Sequence, residues 1–219
     1  KFPLNEKHYF SLENLGILFC QKKKYDLAKQ IFLQAVRINP NSEVAHNNLG
    51  SVYTELKEFN HALKLFNKAI QINPKFANAY FNLGNIYDKQ QDYKNAIINY
   101  NQAIKINKNY PNPFNNLGNI HSNLKEYKKA INYYQTAIKL DPKFTNAYYN
   151  LGNTYQKLQD YKNAIINYNQ AISINKNFVS AYYNLAIVLN AINKQKEANV
   201  LFKKAIYMGS KAAISNYLY

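Results

Sequence analysis

The residues DYKNAIINYNQAIKINKN, Asp92 to Asn109, return as DYKNAIINYNQAISINKN, Asp160 to Asn177, with Lys105 against Ser173 as the one difference. The offset of 68 is twice 34, and a repeat of that length is the mark of stacked supersecondary units rather than of a globular domain. A 34-residue frame opened at Tyr9 yields six units without a gap, beginning at Tyr9, Glu43, Ala77, Pro111, Thr145 and Val179. Positions seven and eight read Leu15-Gly16, Leu49-Gly50, Leu83-Gly84, Leu117-Gly118, Leu151-Gly152 and Leu185-Ala186. Position 20 is Ala28, Ala62, Ala96, Ala130, Ala164 and Ala198, and position 27 runs from Ala35 to Ala205 without exception. Position 24 is always a ring: Phe32, Phe66, Tyr100, Tyr134, Tyr168 and Phe202.

Positions 4, 7, 8 and 11 follow the i, i+3, i+4, i+7 spacing of one helical face, so that Tyr148, Leu151, Gly152 and Tyr155 share a stripe. Small residues at positions 8 and 20 let two helices approach, and the rings at 11 and 24 fill the space beside them. A first helix therefore packs on the second helix of its own unit. One such hairpin cannot bury its faces alone, so the units must stack.

On these residues the chain resembles the tetratricopeptide repeat family over about nine-tenths of its length. It resembles near-consensus arrays such as the repeat superhelix of the O-linked N-acetylglucosamine transferases. The resemblance implies an all-α fold, an α-solenoid that winds as a right-handed superhelix of six helix-turn-helix repeats. The units are residues 9–42, 43–76, 77–110, 111–144, 145–178 and 179–212. An N-terminal flank, 1–8, precedes them, and 213–219 begins a capping helix or a seventh repeat. Two departures stand out. The closing proline is Pro40, Pro74 and Pro142 in three units but Lys108, Lys176 and Ser210 in the others. The glycine expected between the helices is Lys23, Lys57, Gln91, Lys125, Gln159 or Asn193, which predicts turns that are looser or less stable by about 1 kcal/mol each.

The resemblance assigns positions 2, 5, 6, 9, 12 and 13 to a face lining a concave groove. Position 6 is Asn14, Asn48, Asn82, Asn116, Asn150 and Asn184, and position 9 adds Asn85, Asn119 and Asn153. An amide carries both donor and acceptor, so a ladder of asparagines is able to hold an extended peptide by its backbone. Phe81, Tyr149 and Tyr183 at position 5, with Asn47 and Asn115 between, add stacking surfaces. The competing reading is that these asparagines are solvated or bonded within the chain.

Lys and Arg number 28 against 12 acidic residues, a formal charge of +16 that raises nucleic acid or an anionic surface as a partner. Placement argues otherwise. Positions 1 to 12 of the six units hold no Lys or Arg, and only Glu13, Glu43 and Asp88 among charged residues. The cations recur on second helices and turns, as in Lys94, Lys128, Lys162 and Lys196 at position 18 and Arg37, Lys105 and Lys139 at position 29. A nucleic-acid groove needs cations beside its rings to neutralise phosphate. Arg37 is the only arginine, and the joint abundance of Lys, Asn, Ile and Tyr fits an AT-rich genome. Co-chaperone repeats clamp an acidic C-terminal tail with basic residues at positions 2, 5 and 6, where this chain has none, so such a tail is not the expected ligand.

No catalytic residue emerges. His8, His46, His61 and His121 lack metal-ligand spacing, so neither a metal nor a cofactor is expected. His121 stands where tyrosine is usual and reads as a core residue. Cys20 is the lone cysteine, structural rather than nucleophilic. Asp92, Asp141 and Asp160 fall at turns and read as caps or solvated groups. No apolar run approaches the roughly 18 residues that span a bilayer, and a soluble chain in a reducing, cytoplasmic or nuclear compartment is expected. The start without Met and the end inside an apolar run suggest a piece of a longer protein. Three functions follow: a scaffold that binds a protein or an extended peptide in a neutral groove; the substrate-recruiting arm of an O-linked glycosyltransferase whose catalytic domain lies outside this chain; or an electrostatic binder of nucleic acid or membrane through its lysine-rich convex side. The partner's identity and the oligomeric state are not legible.

Overall fold

The computed structural model describes residues 4–210, 212 and 213, with side chains from His8 onward. Contacts divide the chain into two compact units, Lys1–Lys108 and Asn109–Tyr219. The first holds three helical hairpins: α1 (Leu4–Gln21) with α2 (Tyr25–Ile38), α3 (Glu43–Glu55) with α4 (Phe59–Ile72), and α5 (Ala77–Lys89) with α6 (Tyr93–Ile106). The second holds three more: α7 (Pro111–Asn123) with α8 (Tyr127–Leu140), α9 (Thr145–Lys157) with α10 (Tyr161–Ile174), and α11 (Val179–Ala191) with α12 (Gln195–Tyr207). Among the described residues there is no strand. Each unit is a run of α-solenoid in which every first helix packs on its own second helix and the second helix packs on the next first helix. Helix α1 begins at Leu4, so it runs through part of what the sequence sets apart as a flank.

The hairpins close on glycine. A Cβ built on Gly118 falls 2.5 Å from the Tyr134 ring, and one on Gly84 falls 2.5 Å from Tyr100, so the position-24 ring lies directly on the backbone of the first helix. The alanines at positions 20 and 27 are fully buried in all six hairpins, and the position-24 rings are at most 2% exposed. Burying each such ring contributes about 1.5–3 kcal/mol, a sum that a hairpin shares with its neighbours.

The turns differ from expectation. Lys23, Lys57, Gln91, Lys125, Gln159 and Asn193 all adopt left-handed φ, between 56° and 63°. Lys23 N–H donates to Cys20 O at 2.9 Å and Lys24 N–H to Phe19 O at 2.9 Å, and the same pair recurs at the other five turns. This double bond pattern satisfies the last carbonyls of the first helix. The turns are therefore as tight as glycine would make them, because the two hydrogen bonds hold a non-glycine residue in a region it disfavours.

Between hairpins the missing proline changes little. The C-cap Asn107 before Lys108 has φ −128° and ψ 98°, against −128° and 84° for Asn39 before Pro40. Extended geometry is what a following proline imposes, and Asn107 adopts it without one. The last helix departs: α12 ends on Met208 followed by Gly209 at φ 92°, and Ser210 Oγ accepts from Ala213 N–H at 3.3 Å to start a new helical turn. Ala213 is fully buried against the α10–α12 core. The rest of the expected cap or seventh repeat, 214–219, lies outside the described residues.

Several side chains singled out in the sequence have defined surroundings. Asp92 and Asp160 cap α6 and α10, each accepting from the N–H three residues on at 3.1 Å, while Asp141 accepts from Lys143 N–H at 2.9 Å. His121 is 8% exposed, stacks on Tyr133 at 5.2 Å and bonds through Nδ1 to Glu126, whose carboxyl that bond holds below its usual range. Cys20 is half-buried, and burial pushes its thiol up, away from the thiolate a nucleophile needs. Among the described residues no group of three His, Cys, Asp or Glu is placed to hold a metal ion, and no helix is long and apolar enough to cross a membrane.

Candidate functional site

The asparagines of the first helices form two separate sets of bonds. Those at position 6 reach back to position 5 of the preceding hairpin. In the first unit Asn48 Nδ2 donates to Glu13 Oε2 at 2.9 Å, and Asn82 Nδ2 donates to Asn47 Oδ1 at 2.8 Å and to Ser51 Oγ at 3.5 Å. In the second unit Asn150 Nδ2 donates to Asn115 Oδ1 at 3.1 Å, and Asn184 Nδ2 donates to the Tyr149 hydroxyl at 3.0 Å and to Asn153 Oδ1 at 2.8 Å. Every hairpin junction inside a unit is thus bridged by an amide. Asn14, on the first hairpin, is exposed, and Asn116 accepts from the amide of Asn115 at 3.1 Å.

The asparagines at position 9 bond within their own hairpin. The hydroxyls of Tyr100, Tyr134 and Tyr168 donate to Oδ1 of Asn85, Asn119 and Asn153 at 2.8, 2.8 and 2.7 Å. Burial holds the Tyr134 and Tyr168 phenols far above their ordinary range, so they stay protonated donors. A signal for this pairing stands in the sequence: hairpins with Tyr at position 24 have Asn at position 9, and those with Phe32, Phe66 and Phe202 have Ile17, Ser51 and Ile187.

The position-5 rings are half-buried and rest on the position-24 rings. Phe81 lies 5.9 Å from Tyr100, Tyr149 lies 5.9 Å from Tyr168 and 4.9 Å from Phe178, and Tyr183 lies 6.1 Å from Phe202. The predicted groove residues are therefore brought together on the first helices of each unit, but as a bonded layer of that surface rather than as free side chains. The sequence reading missed Glu13, Asn47 and Asn115 as the acceptors of this layer; all share position 5 with Tyr149, whose oxygen accepts as well.

Because each bond fixes which end of an amide is engaged, the opposite end is defined. Asn150 and Asn184 spend Nδ2 on the preceding hairpin and keep Oδ1, an acceptor. Asn119 and Asn153 spend Oδ1 on tyrosine and keep Nδ2, a donor pair. None of these remaining groups is buried without a partner. Position 6 and position 9 are nearly one turn apart on the same helix face, so in the second unit an acceptor and a donor alternate along α9.

Two acids of the first helices, Glu13 and Asp88, are drawn toward neutrality. Burial pushes the Glu13 carboxyl up, against the Asn48 amide that favours its charged form; its Oε1 is buried without a hydrogen bond, the neighbouring Tyr9 hydroxyl being engaged with Ser42 Oγ at 2.6 Å. Burial likewise raises Asp88. Two cations join this face at position 13, Lys89 as the last residue of α5 and Lys157 as the last residue of α9, where Lys157 sets Nζ 3.3 Å from Ser122 Oγ.

Family models described as TPR repeat match residues 50–91, 84–125 and 123–159, and models described as tetratricopeptide repeat match 145–178 and 11–42. No curated protein sequence matches the chain. Among solved structures, the Cut9–Hcn1 hetero-tetramer of the APC/C is similar with a TM-score of 0.85 at 19% identity over 95% of this chain, which spans 42% of the length of that one. PilF of Pseudomonas aeruginosa gives a TM-score of 0.83 at 20% identity, covering 98% of both chains. YrrB, described as a TPR protein with an unusual peptide-binding site, gives 0.63 at 22% identity over 86% of this chain and 98% of its own. At these identities the likeness concerns the fold.

Proposed function

The chain belongs to the tetratricopeptide repeat family, and on that premise we propose that it is a protein-interaction scaffold that holds an extended peptide segment of a partner along its first helices. The observation that supports this is the fixed orientation of the amides. In the second unit Asn150 of α9 and Asn184 of α11 offer leftover acceptors at position 6, and Asn119 and Asn153 add leftover donors at position 9. A peptide backbone presents N–H and C=O groups in alternation, and this is the complementary set. Recognition of backbone rather than side chains gives broad selectivity, with Tyr149 and Tyr183 supplying apolar contact. The uncharged amides and the absence of Lys and Arg from positions 1 to 12 of the repeats speak against a phosphate backbone or an acidic tail as its ligand. No reaction is assigned to the chain.

The bonding pattern also dictates the test. Alanine at Asn150 removes a bridge between hairpins along with any ligand contact, so it confounds binding with stability. Asn119→Asp and Asn153→Asp keep an oxygen for Tyr134 and Tyr168 while removing the leftover donors. Capture of a random-sequence decapeptide library by the double variant, measured beside the parent with helicity followed by circular dichroism, is expected to fall by about tenfold, the loss of one to two net hydrogen bonds. Unchanged capture with helicity preserved counts against the proposal.

A further inference from the structure

Five of the six hairpins place a ring at position 11: Phe19, Tyr53, Tyr87, His121 and Tyr155. Three of these rings, Tyr53, Tyr87 and Tyr155, serve the stacking of one hairpin on the preceding one. Tyr155 packs with Leu151 of its own helix and Ile131 of the preceding second helix, and Tyr87 packs with Leu83 and Leu63 in the same way. Tyr53 meets Lys29 at the equivalent place, its ring 4.6 Å from Nζ. The sixth hairpin repeats the surroundings but not the ring: Leu185 and Ile165 occupy the places of Leu151 and Ile131, and position 11 is Leu189.

A branched four-carbon side chain does not reach as far between two second helices as a phenol does. At this place the second unit has an open groove of about 400 Å³, floored by Leu185 and Leu189, walled by Ile165 of α10 and Leu201 of α12. Its rim carries Lys194 and Glu197, ion-paired at 3.0 Å, and Val200, which is 65% exposed. The chain's own repeats state what fits such a socket, which is an aromatic ring. The charge around it states what should flank the ring. Helices α10, α11 and α12 with their N-caps carry five lysines, Lys162, Lys194, Lys196, Lys203 and Lys204, against two acids, Asp160 and Glu197.

We propose that the groove between α10 and α12 is a second binding site, on the side of the second helices, for an acidic partner segment that inserts one phenylalanine or tyrosine side chain where the other hairpins supply their own. Neither its argument nor its test depends on peptide binding by the first helices. The probes are acetyl-Asp-Glu-Phe-Glu-Asp-amide, its Ala counterpart, and acetyl-Lys-Lys-Phe-Lys-Lys-amide, titrated into the chain carrying labelled Leu and Val methyl groups.

The acidic Phe peptide is expected to shift the methyl resonances of Leu185, Leu189 and Val200 saturably, with affinity at least about tenfold above that of the Ala peptide, the change expected from losing burial of one ring. The Lys-flanked peptide is expected to bind more weakly still, and added salt to weaken the acidic one. Leu189→Tyr restores the missing ring and is expected to abolish binding without lowering the unfolding temperature. Val200→Glu leaves the socket open but sets a carboxylate at its mouth, and is expected to weaken the acidic peptide. Equal affinity of the Phe and Ala peptides, or of the acidic and Lys-flanked ones, overturns the proposal. So does full binding by Leu189→Tyr; where that variant unfolds, unchanged affinity of Val200→Glu for the acidic peptide overturns it instead.

Discussion

Replacing Tyr134 by Phe and Asn119 by Ile, singly and together, separates a structural amide from a solvated one. The Tyr134 ring is 1% exposed and its hydroxyl donates to Asn119 Oδ1 at 2.8 Å. Tyr134→Phe removes a net hydrogen bond and leaves a half-buried amide able to turn to water, a cost of about 1 kcal/mol. Asn119→Ile strands a buried hydroxyl, a cost of about 1–3 kcal/mol, although Ser122 and Thr154 stand close enough to the phenol to relieve part of it. The double variant rebuilds the Ile17–Phe32 and Ile187–Phe202 pairs that the first and sixth hairpins already use. It is expected within about 1 kcal/mol of the parent, with a coupling energy of about 1–2 kcal/mol between the two sites. Urea unfolding of the four proteins, followed by helical circular dichroism and fitted with a nearest-neighbour repeat scheme because arrays depart from two-state behaviour, reads the coupling. Additivity within about 0.3 kcal/mol would refute the pairing, and with it the assignment of position 9 to the hairpin interior.

Two further outcomes follow from strained or buried groups. Lys125→Gly relieves a side chain held at φ 61° on an exposed turn, and is expected to stabilise by about 0.5–1 kcal/mol after the entropy glycine adds to the unfolded chain; a lowered urea midpoint refutes the strain. Glu13 titrates above its ordinary 4.5 when folded, chiefly through burial, so the folded state keeps that proton to higher pH than the unfolded chain does. Its contribution to stability is full below 4.5 and is lost as pH rises through the folded value. Glu13→Gln preserves an acceptor for Asn48, and its urea midpoint is expected to rise relative to the parent between pH 4 and pH 7; a falling difference sinks the argument.

Much of this was legible in one dimension. A hairpin must bury a ring against a small residue, glycine in five repeats and Ala186 in the sixth, and seat alanines where helices cross, and those demands recur every 34 residues, so Gly118, Ala130, Tyr134 and Ala137 announce the fold by their spacing alone. The pairing of position-9 asparagine with position-24 tyrosine was present in the same alignment of the chain against itself. What spacing does not carry is where a polar group finds its partner. Whether Asn150 faces a ligand or the preceding hairpin depends on how closely the helices stack, and the stacking brings Asn115 Oδ1 within 3.1 Å. The turns show the same division: loss of glycine at Lys125 reads as a looser loop, yet two backbone bonds and the packing on either side hold it tight. Periodicity fixes which residues are buried because burial depends on helical phase. The engaged end of each amide, the strain at each turn and the socket left by Leu189 depend on distances between helices, which only the packed structure sets.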